Sequence, residues 1–359
     1  MKTILSVVGA RPNFMKLAPL HRALRRHEGI RHVIVHTGQH YDVAMSQAFF
    51  QDLGMPDPDH NLGVGSGSHA QQTAQIMERL EPVVLQERPD LVLVYGDVNS
   101  TVAAGLVVTK LGIEVGHVEA GLRSRDWSMP EEVNRIVTDH LAQWLFTPSR
   151  DANENLLAEG IDRRRIRLVG NIMIDSLVEM LPRATALDAP GRHGVRAGEY
   201  AVVTLHRPSN VDDPNTLFDL MRALDELSAK GPVLFPVHPR TRRRMEEFKV
   251  PFHSPNGMRL MEPVGYLEML GLVAEAGLVI TDSGGVQEET SYLGIPCLTA
   301  RPNTERPITV SCGTNRLIAS TRSALVPAAL EAWGRIGQRA GIELWDGRAA
   351  HRIAELVCA

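Results

Sequence analysis

Short, uninterrupted apolar runs recur along the chain, and longer segments with the 3.6-residue period of amphipathic helices separate them. In the first half the runs are TILSVV, HVIVHT, LVLVY, IEVGHV, WLFT and RIRLVG. Because they lack polar alternation, we expect each run to form a strand that is covered on both faces, as in a parallel sheet. Strands and helices that alternate in this way predict a doubly wound α/β domain with right-handed crossovers.

The same pattern starts again in the second half, with the runs YAVVTL, GPVLFPV, MRLME, GLVITD, IPCLTA and RLIAS. Between the halves, the polar stretch TALDAPGRHGVRAG is typical of a linker or loop. The 359 residues therefore predict an α/β protein of two doubly wound, Rossmann-like domains facing a cleft. We expect a first domain over residues 1–170, a second over 171–345, and a C-terminal helix in 346–359 that packs back on the first domain.

One strand end carries a Gly-rich turn that is suited to binding a phosphate. In LVITDSGGVQEET, Gly284 and Gly285 let backbone N–H groups approach a ligand closely, and Ser283 is expected to cap the following helix. The free N–H groups and the helix dipole would then hold a phosphate. Glu289, about one turn into the helix, could accept hydrogen bonds from a ribose. An ordinary strand–helix turn with solvated acids remains the alternative, since short Gly motifs match by chance.

Cationic and imidazole side chains also follow predicted strands. Arg11 and Lys16 open the helix after the first strand, where an Arg opposes the helix dipole and a broken local rule often marks a functional site. Arg306 is predicted to start a helix after CLTA, from which it could reach a diphosphate bidentately. Further strand ends carry His206, Arg207 and His238, which could clamp an anion. Taken singly, each is as well explained as a solvated surface charge.

The glycines of NLGVGSGSHAQQ follow no predicted strand, so a flexible loop over the cleft is expected there. Three carboxylates end strands or begin helices in the first half, namely Asp97, Glu119 and Glu131. Gathered in one crevice, they would raise one another's pKa and could serve as general acid and base. A helix cap or an internal salt bridge is the alternative for each one alone.

Composition excludes several classes of function. The net charge of −4 does not favour a nucleic-acid or anionic-membrane partner. The three cysteines form no C-x-x-C and indicate a reducing, cytoplasmic location, and no apolar stretch is long enough for a membrane span. The fourteen histidines show no close pairs at metal spacing, and no G-x-S-x-G elbow is present.

Eight motifs, in order, give the chain a family resemblance: GARPNFMKLAPL, GDVNST, GHVEAGLRS, PEEVNR, LHRPSN, PVHP, TDSGGVQEE and ERP. From about residue 3 to 320 the chain resembles the bacterial non-hydrolysing UDP-N-acetylglucosamine 2-epimerases. The resemblance implies a glycosyltransferase-B type fold and a homodimer that acts in polysaccharide biosynthesis. It also implies inversion at C2 of a UDP-linked 2-acetamido sugar, by anti elimination of UDP and re-addition through a glycal, with neither a metal nor a nicotinamide cofactor.

The resemblance also implies roles for single residues. Asp97, Glu119 and Glu131 match the acid–base carboxylates of the family, and His206 would stabilise the departing diphosphate. The residues that match UDP-binding positions are Arg11, Lys16, Arg207, His238, Ser283, Gly284, Gly285, Glu289 and Arg306. Val264 and Met269 match positions that hold the uracil.

Some motifs depart from the family pattern and leave the substrate open. HRPSN stands where H-R-R-E-N is familiar, and Tyr41 of QHYD stands where a cation is often found. Some relatives bind a second, activating UDP-sugar through that region. The variants resemble a branch that acts on UDP-2,3-diacetamido-glucuronic acids. A hydrolysing epimerase that releases ManNAc, a glycosyltransferase of the same fold and a non-enzymatic UDP-sugar-binding protein are the remaining alternatives.

Overall fold

The computed structural model describes residues 1–39, 53–250, 257–335 and 341–359, and the side chain of Arg11 lies outside this description. The described chain separates into two compact units. Unit 1 comprises Met1–Ser176 together with Glu343–Ala359, and unit 2 comprises Leu177–Ile342. Tyr41 lies outside the described residues. In the described part, no helix combines the length and the apolar character that crossing a membrane requires.

Unit 1 is built on a seven-stranded parallel sheet in the order β3-β2-β1-β4-β5-β6-β7. Its strands are β1 Lys2–Val8, β2 Ile30–His36, β3 His60–Asn61, β4 Leu91–Tyr95, β5 Glu114–Val118, β6 Trp144–Thr147 and β7 Ile166–Leu168. Its helices are α1 Arg11–Leu24, α2 His69–Glu87, α3 Asn99–Lys110, α4 Pro130–Leu141 and α5 Arg150–Ala158, with a 3-10 turn at Arg163–Arg165. The central strand β4 is buried at all five positions, because helices cover both faces of the sheet.

Unit 2 repeats this topology with a six-stranded parallel sheet in the order β10-β9-β8-β11-β12-β13. Its strands are β8 Ala201–Thr204, β9 Val233–Pro236, β10 Met258–Met261, β11 Leu278–Thr281, β12 Cys297–Ala300 and β13 Asn315–Ile318. Two helices precede its sheet, α6 Ile172–Ala186, which begins in unit 1, and α7 Ala189–Arg192. The others are α8 Pro208–Val211, α9 Pro214–Leu227, α10 Pro239–Glu247, α11 Tyr266–Ala274, α12 Gly284–Leu293, α13 Ile308–Ser311 and α14 Arg322–Ala332.

Every apolar run named above contains one strand, but the short strand β3 was not expected. It lies directly before the glycines of NLGVG, so the prediction that no strand precedes them was wrong. β3 is only two residues long and polar, and it pairs with the end of β2 through Val35↔His60 and His36↔Asn61. Two residues are too few to show a hydrophobic period.

The division between the units falls inside a helix rather than in a polar loop. α6 runs through the boundary between Ser176 and Leu177, six residues after the expected 170. The stretch that was expected to form a linker or loop contains the one-turn helix α7, whose Ala189 and Pro190 are buried. The apolar positions of IMIDSLVEML have a helical period, and they continue the helix through the boundary.

The C-terminal helix, α15 Ala349–Cys358, belongs to unit 1 and packs against α1. Its first turn is held by Asp175 of α6, whose carboxylate oxygens accept the backbone N–H groups of Ala349 and Ala350 at 3.1 and 2.8 Å. Burial raises the pKa of Asp175 to about 6, although the two backbone hydrogen bonds oppose this shift. Asp175 therefore serves as an N-terminal cap supplied by another helix.

We predict that Asp175→Ala loosens α15. Loss of a capping side chain costs about 1 kcal/mol of stability. The free energy of opening measured by hydrogen exchange at the amides of residues 353–357 should fall by a similar amount. The surface pair Arg150–Glu343 offers the control, because Glu343→Ala breaks an ion pair between two exposed side chains and should leave the protection of α15 unchanged. Equal protection of α15 in the wild type and in Asp175→Ala would contradict the capping role.

Candidate active site

Both sheets reverse their strand order at one point, and the candidate residues gather there. In unit 1 the reversal lies between β1 and β4, and in unit 2 it lies between β8 and β11. The connections after these neighbouring strands run to opposite faces of the sheet, which opens a crevice beyond their carboxyl ends. Each unit therefore has one crevice whose walls are the first residues after the two central strands.

In unit 1, Asn13 and Gly96 connect the segment after β1 with the segment after β4. Asn13 Oδ1 accepts the N–H groups of Gly9 and Ala10, and its Nδ2 donates to Tyr95 O at 2.9 Å. Gly96 has φ of +62°, and a Cβ there would lie 2.8 Å from Lys16 Nζ. Only glycine combines this backbone conformation with such a close approach.

Lys16 and Glu119 form a buried ion pair beside Gly96, and their side chains are 6% and 4% exposed. Glu119 also has φ of +77°, a left-handed conformation that costs a non-glycine residue on the order of 1 kcal/mol or more. A buried carboxylate held in strained backbone is a costly arrangement, and such strain clusters at functional sites. This geometry supports a functional role for Glu119 that its position at a strand end only suggested.

Asp97 is anchored by a cation that the sequence analysis missed. Arg135 of α4, with a side chain only 4% exposed, forms ion pairs with both Asp97 and Glu132. Glu132 in turn accepts hydrogen bonds from Ser124 N, Ser124 Oγ and Arg125 N at 2.7–2.9 Å, which fixes the loop before α4. Arg135 was detectable as the residue four positions after Glu131 in PEEVNR, on the same helix face.

Glu131 lies exposed in the first turn of α4. It shares a helix face with Asn134 and Arg135, three and four residues later, and both of these contact Asp97. Within the described residues, Glu131 takes part in no ion pair. Lys16, Glu119 and Asp97 thus lie around one turn, and Glu131 lies on the face of α4 whose next turn contacts Asp97. The side chain of Arg11 lies outside the description.

In unit 2, the buried carboxylate of Asp282 organises the crevice. It accepts the backbone N–H groups of His206 and Arg207 at 2.9 Å, Asn210 Nδ2 at 3.0 Å and the Nδ1 of His206 at 2.9 Å. Burial raises the pKa of Asp282, but the hydrogen bonds and charge of His206 and its other donors outweigh burial, and the net shift is downward. His206, whose side chain is 40% exposed, is therefore oriented by a fixed anion through one ring nitrogen.

The helix α12 begins at Gly284, and its first N–H groups have no intrahelical acceptors. Arg306 stands directly against this end: its Nη1 would lie 2.5 Å from a Cβ on Gly284. Glu288 and Glu305 hold the Arg306 guanidinium at 2.6 and 2.7 Å. A helix N-terminus and a fixed guanidinium side by side form a site suited to a phosphate.

Two expectations at this end of unit 2 were wrong. Ser283 occupies the N-cap position, but its side chain makes no capping hydrogen bond; its backbone N–H donates to Thr281 Oγ1 instead. Arg306 does not start a helix, because α13 begins at Ile308 after Pro307 at the N-cap position. The Ser283 hydroxyl therefore does not cap α12, and Arg306 precedes α13 instead of belonging to it.

Glu289 is buried, with 6% of its surface exposed. Tyr266 donates to Glu289 Oε1 at 3.0 Å. Burial raises the pKa of Glu289 to about 7, with a further upward contribution from Glu288. Val264 and Met269 lie on either side of Tyr266 in sequence and are half-buried, Val264 before α11 and Met269 within it.

The remaining candidates of unit 2 flank the same crevice. Arg207 Nε donates to Asp282 O at 3.0 Å, and its Nη2 lies 3.5 Å from Glu305 Oε1. The ring of His238, at the N-cap of α10, lies 5.5 Å from the ring of His206. Across the described ranges, no group of three or more His, Cys, Asp or Glu residues has an arrangement that could hold a metal ion.

Comparison with known proteins gives consistent matches along the chain. A family model described as UDP-N-acetylglucosamine 2-epimerase matches residues 22–358. The UDP-2,3-diacetamido-2,3-dideoxy-D-glucuronate 2-epimerase of Pseudomonas aeruginosa is 42% identical over 356 residues, which cover 98% of each protein. The crystal structure of Methanocaldococcus jannaschii UDP-GlcNAc 2-epimerase in complex with UDP-GlcNAc and UDP superposes with a TM-score of 0.90 at 40% identity, covering 99% of each chain.

A third match is the Neisseria meningitidis UDP-GlcNAc 2-epimerase bound to UDP-GlcNAc, with a TM-score of 0.89, 29% identity and 99% coverage of each chain. These likenesses confirm the predicted fold class, two doubly wound α/β domains of the glycosyltransferase-B type. They also confirm the family resemblance that the eight motifs indicated.

We predict that alanine has different effects at the two glycines of α12. At Gly285 nothing lies within 4 Å of an added Cβ, and alanine is favoured over glycine in helices by about 1 kcal/mol, so Gly285→Ala should unfold at the same or a higher temperature. It should nevertheless weaken diphosphate binding about ten-fold or more, because the methyl group enters the space beside the free N–H groups.

Gly284→Ala is the matched comparison, since its Cβ would displace the Arg306 guanidinium and lower both the unfolding temperature and the diphosphate affinity. Thermal unfolding and isothermal titration calorimetry with inorganic diphosphate distinguish the two effects. Diphosphate binding by Gly285→Ala as tight as that of the wild type would place the phosphate elsewhere.

Proposed function

The chain belongs to the UDP-N-acetylglucosamine 2-epimerase family, and we propose that it inverts the configuration at C2 of a UDP-linked 2-acetamido sugar. One observation carries the proposal: each unit has its functional groups at the switch point of its sheet, with carboxylates in unit 1 and anion-binding groups in unit 2. These are the two kinds of group that elimination and re-addition of UDP require.

Unit 2 would hold the UDP group. The N-terminus of α12 and the Arg306 guanidinium bind the diphosphate, Glu289 accepts hydrogen bonds from the ribose, and Val264 and Met269 contact the uracil. Arg207, His238 and Ser283 complete the expected binding set of unit 2, and Arg11 and Lys16 are the UDP-binding residues expected from unit 1. When the C1–O bond breaks, its electron pair stays on the diphosphate, and pre-oriented donors stabilise the charge that develops there. His206, fixed by Asp282, presents its second ring nitrogen for this purpose.

Unit 1 would move the protons. A base removes the proton from C2 while UDP leaves C1, and the C2–H electron pair becomes the double bond of the glycal. UDP then attacks C1 again, and an acid delivers a proton to the opposite face of C2. Inversion therefore needs acid–base groups on two faces of the ring, which a single carboxylate does not supply.

The three carboxylates differ in a way that suits this division. Glu119 and Asp97 are held by Lys16 and Arg135, whereas Glu131 is exposed and free of ion pairs among the described residues. We propose that Asp97, Glu119 and Glu131 share the two proton transfers. Ion pairing fixes the positions of the first two, and proton transfer depends on such positioning within hydrogen-bonding reach.

UDP-GlcNAc is the first substrate that we propose, with UDP-ManNAc as the product. A UDP-2,3-diacetamido-glucuronic acid is the second candidate, because the Pseudomonas aeruginosa relative named for that substrate is 42% identical across 98% of the chain. We further propose a cytoplasmic homodimer, consistent with three unpaired cysteines. Light scattering of the purified protein would test the dimer.

The decisive experiment follows the sugar by proton NMR in deuterated buffer. The wild type should convert UDP-GlcNAc, or the diacetamido-glucuronate analogue, to its C2 epimer with deuterium at C2. Asp97→Asn removes a group that can transfer a proton and should lower kcat by about 10²–10⁴-fold, while UDP affinity stays near that of the wild type.

Glu28→Gln provides a surface control, since Glu28 lies exposed in the turn after α1 and the change likewise converts a carboxylate to an amide. Failure to epimerise any UDP-2-acetamido sugar, despite tight UDP binding, would refute the proposal. Free ManNAc with UDP would indicate a hydrolysing enzyme, and transfer to an added acceptor without C2 deuteration would indicate a glycosyltransferase.

The pKa of Glu289 gives a prediction about pH. The ionised carboxylate accepts the ribose hydroxyl groups more strongly than the protonated form does, so substrate affinity should rise with pH through about 7. Between about pH 6 and pH 8 the ionised fraction of a group with this pKa rises about ten-fold, and UDP-GlcNAc affinity should rise in proportion.

The control is Glu289→Gln, which should not show this rise. UDP-GlcNAc suits the titration because its diphosphate diester has no group that titrates in this range. Calorimetry on both proteins isolates the contribution of Glu289 to the pH dependence. The same pH dependence in both proteins would show that Glu289 does not bind the ribose.

A further inference from the structure

A fully buried histidine, His117 on β5, lies behind the turn that carries Asp97. Its Nδ1 lies 2.7 Å from Asp139 Oδ1, and its Nε2 lies 2.7 Å from the backbone oxygen of Gly96. A carbonyl oxygen can only accept, so Nε2 carries a proton. The protonation of Nδ1 then depends on whether Asp139 is ionised.

Asp139 is surrounded by donors. Its Oδ2 accepts the N–H of Gly121 at 3.1 Å and Nη1 of Arg123 at 2.7 Å. Burial raises the pKa of Asp139, but the charges and hydrogen bonds of His117 and Arg123 outweigh it and lower the pKa overall. An ionised Asp139 only accepts hydrogen bonds, so Nδ1 of His117 must also carry a proton.

A second layer holds this pair. Arg123 donates from Nε and Nη2 to the two carboxylate oxygens of Glu159, each at 2.7 Å, in bidentate geometry. The Arg123 side chain is 2% exposed and Glu159 lies at the edge, with 28% exposed. The chain of charges therefore runs from the surface at Glu159 through Arg123 and Asp139 to His117.

We propose that His117 is a positioning residue: a doubly protonated imidazole, held by Asp139, that fixes the Gly96–Asp97 peptide and so aims the Asp97 carboxylate. His117 is not itself an acid or base for the substrate, because both ring nitrogens are engaged inside the protein. The preceding peptide is held as well, since Gly96 N donates to Val118 O at 3.0 Å.

The catalytic part of this inference rests on the proposed epimerase function, and the protonation part does not. Arg135 holds the end of the Asp97 side chain, while His117 holds the peptide from which it projects. The two contacts together restrict both the backbone and the carboxylate of Asp97. Misplacement of a catalytic group by about 1 Å can cost about 10²-fold in rate.

Two variants separate the two hydrogen bonds of His117. His117→Asn keeps a donor toward Asp139 but is too short to reach Gly96 O. The double variant His117→Gln/Asp139→Asn restores a donor to Gly96 O through the Gln amide nitrogen, and its amide oxygen accepts from the new Asn. Arg123 can still donate to the Asn oxygen. His140→Asn, an exposed position on the same helix as Asp139, is the control.

We expect His117→Asn to lower kcat about 10–100-fold, while KM and the Kd for UDP change less than about three-fold. The double variant should recover most of kcat, and His140→Asn should match the wild type. A purely structural role would instead lower the unfolding temperature and the folded fraction of both His117 variants alike, with no recovery. A kcat for His117→Asn within about three-fold of the wild type would overturn the proposal.

The second measurement is independent of activity. In protein labelled with nitrogen-15 histidine, NMR at neutral pH should show two ring N–H groups for His117, and both signals should be absent in His117→Asn. A single ring N–H would overturn the doubly protonated assignment even if the enzyme proves active. If no sugar is epimerised but both N–H groups are found, the epimerase function fails and the charge assignment stands.

Discussion

The reversal of strand order at the centre of each sheet is the constraint on which the site depends. In both units the chain leaves two adjacent parallel strands toward opposite faces, so their ends cannot be covered by the same helix. Side chains and backbone N–H groups at this point have few neighbours from their own sheet. Asp97 and Asp282 occupy equivalent places, each following the fourth strand of its sheet, yet one projects toward the crevice and the other is buried. The same topology thus places a partly exposed carboxylate beside the crevice in one unit and a buried, hydrogen-bonded carboxylate there in the other.

Buried charge is the second constraint, and the protein meets it with paired groups. Lys16 with Glu119, Arg135 with Glu132 and Arg306 with Glu288 are each at most about one-tenth exposed. Taking such ions out of water costs several kcal/mol each unless partners and hydrogen bonds compensate. Paired charges with fixed positions reorganise little during a reaction, which is the property that an electrostatically stabilised transition state needs. The left-handed backbone of Glu119 also fixes the position of a buried charge.

The sequence predicted the strands that are apolar throughout and the candidate residues that directly follow them. Strands such as LVLVY were evident because central parallel strands are apolar throughout, and Asp97 and Glu119 were found because they follow such strands. Arg135, Asp139 and His117 were missed because their roles depend on contacts between elements distant in sequence. Arg135 meets Asp97 across 38 residues, and His117 meets Asp139 across 22. Ser283 was misjudged because the preference of Ser for the N-cap position does not require the hydroxyl group to make the capping hydrogen bond, and here it makes none.

Two buried carboxylates of unit 2 show how the number of donors decides the charge state. Asp282 receives two backbone N–H groups, an amide and an imidazole, and its pKa falls below its usual value despite burial. Glu289 receives one hydrogen bond from Tyr266 and has Glu288 as a neighbour, and its pKa rises to about 7. Asp282 is therefore a permanent anion that can orient His206 throughout a reaction. Glu289 is balanced near neutrality, so a ligand that donates hydrogen bonds to it can shift it to the ionised form. A rigid anion suits the part of a site that must stay fixed, and a carboxyl near its pKa suits the part that forms its contacts only when the substrate is present.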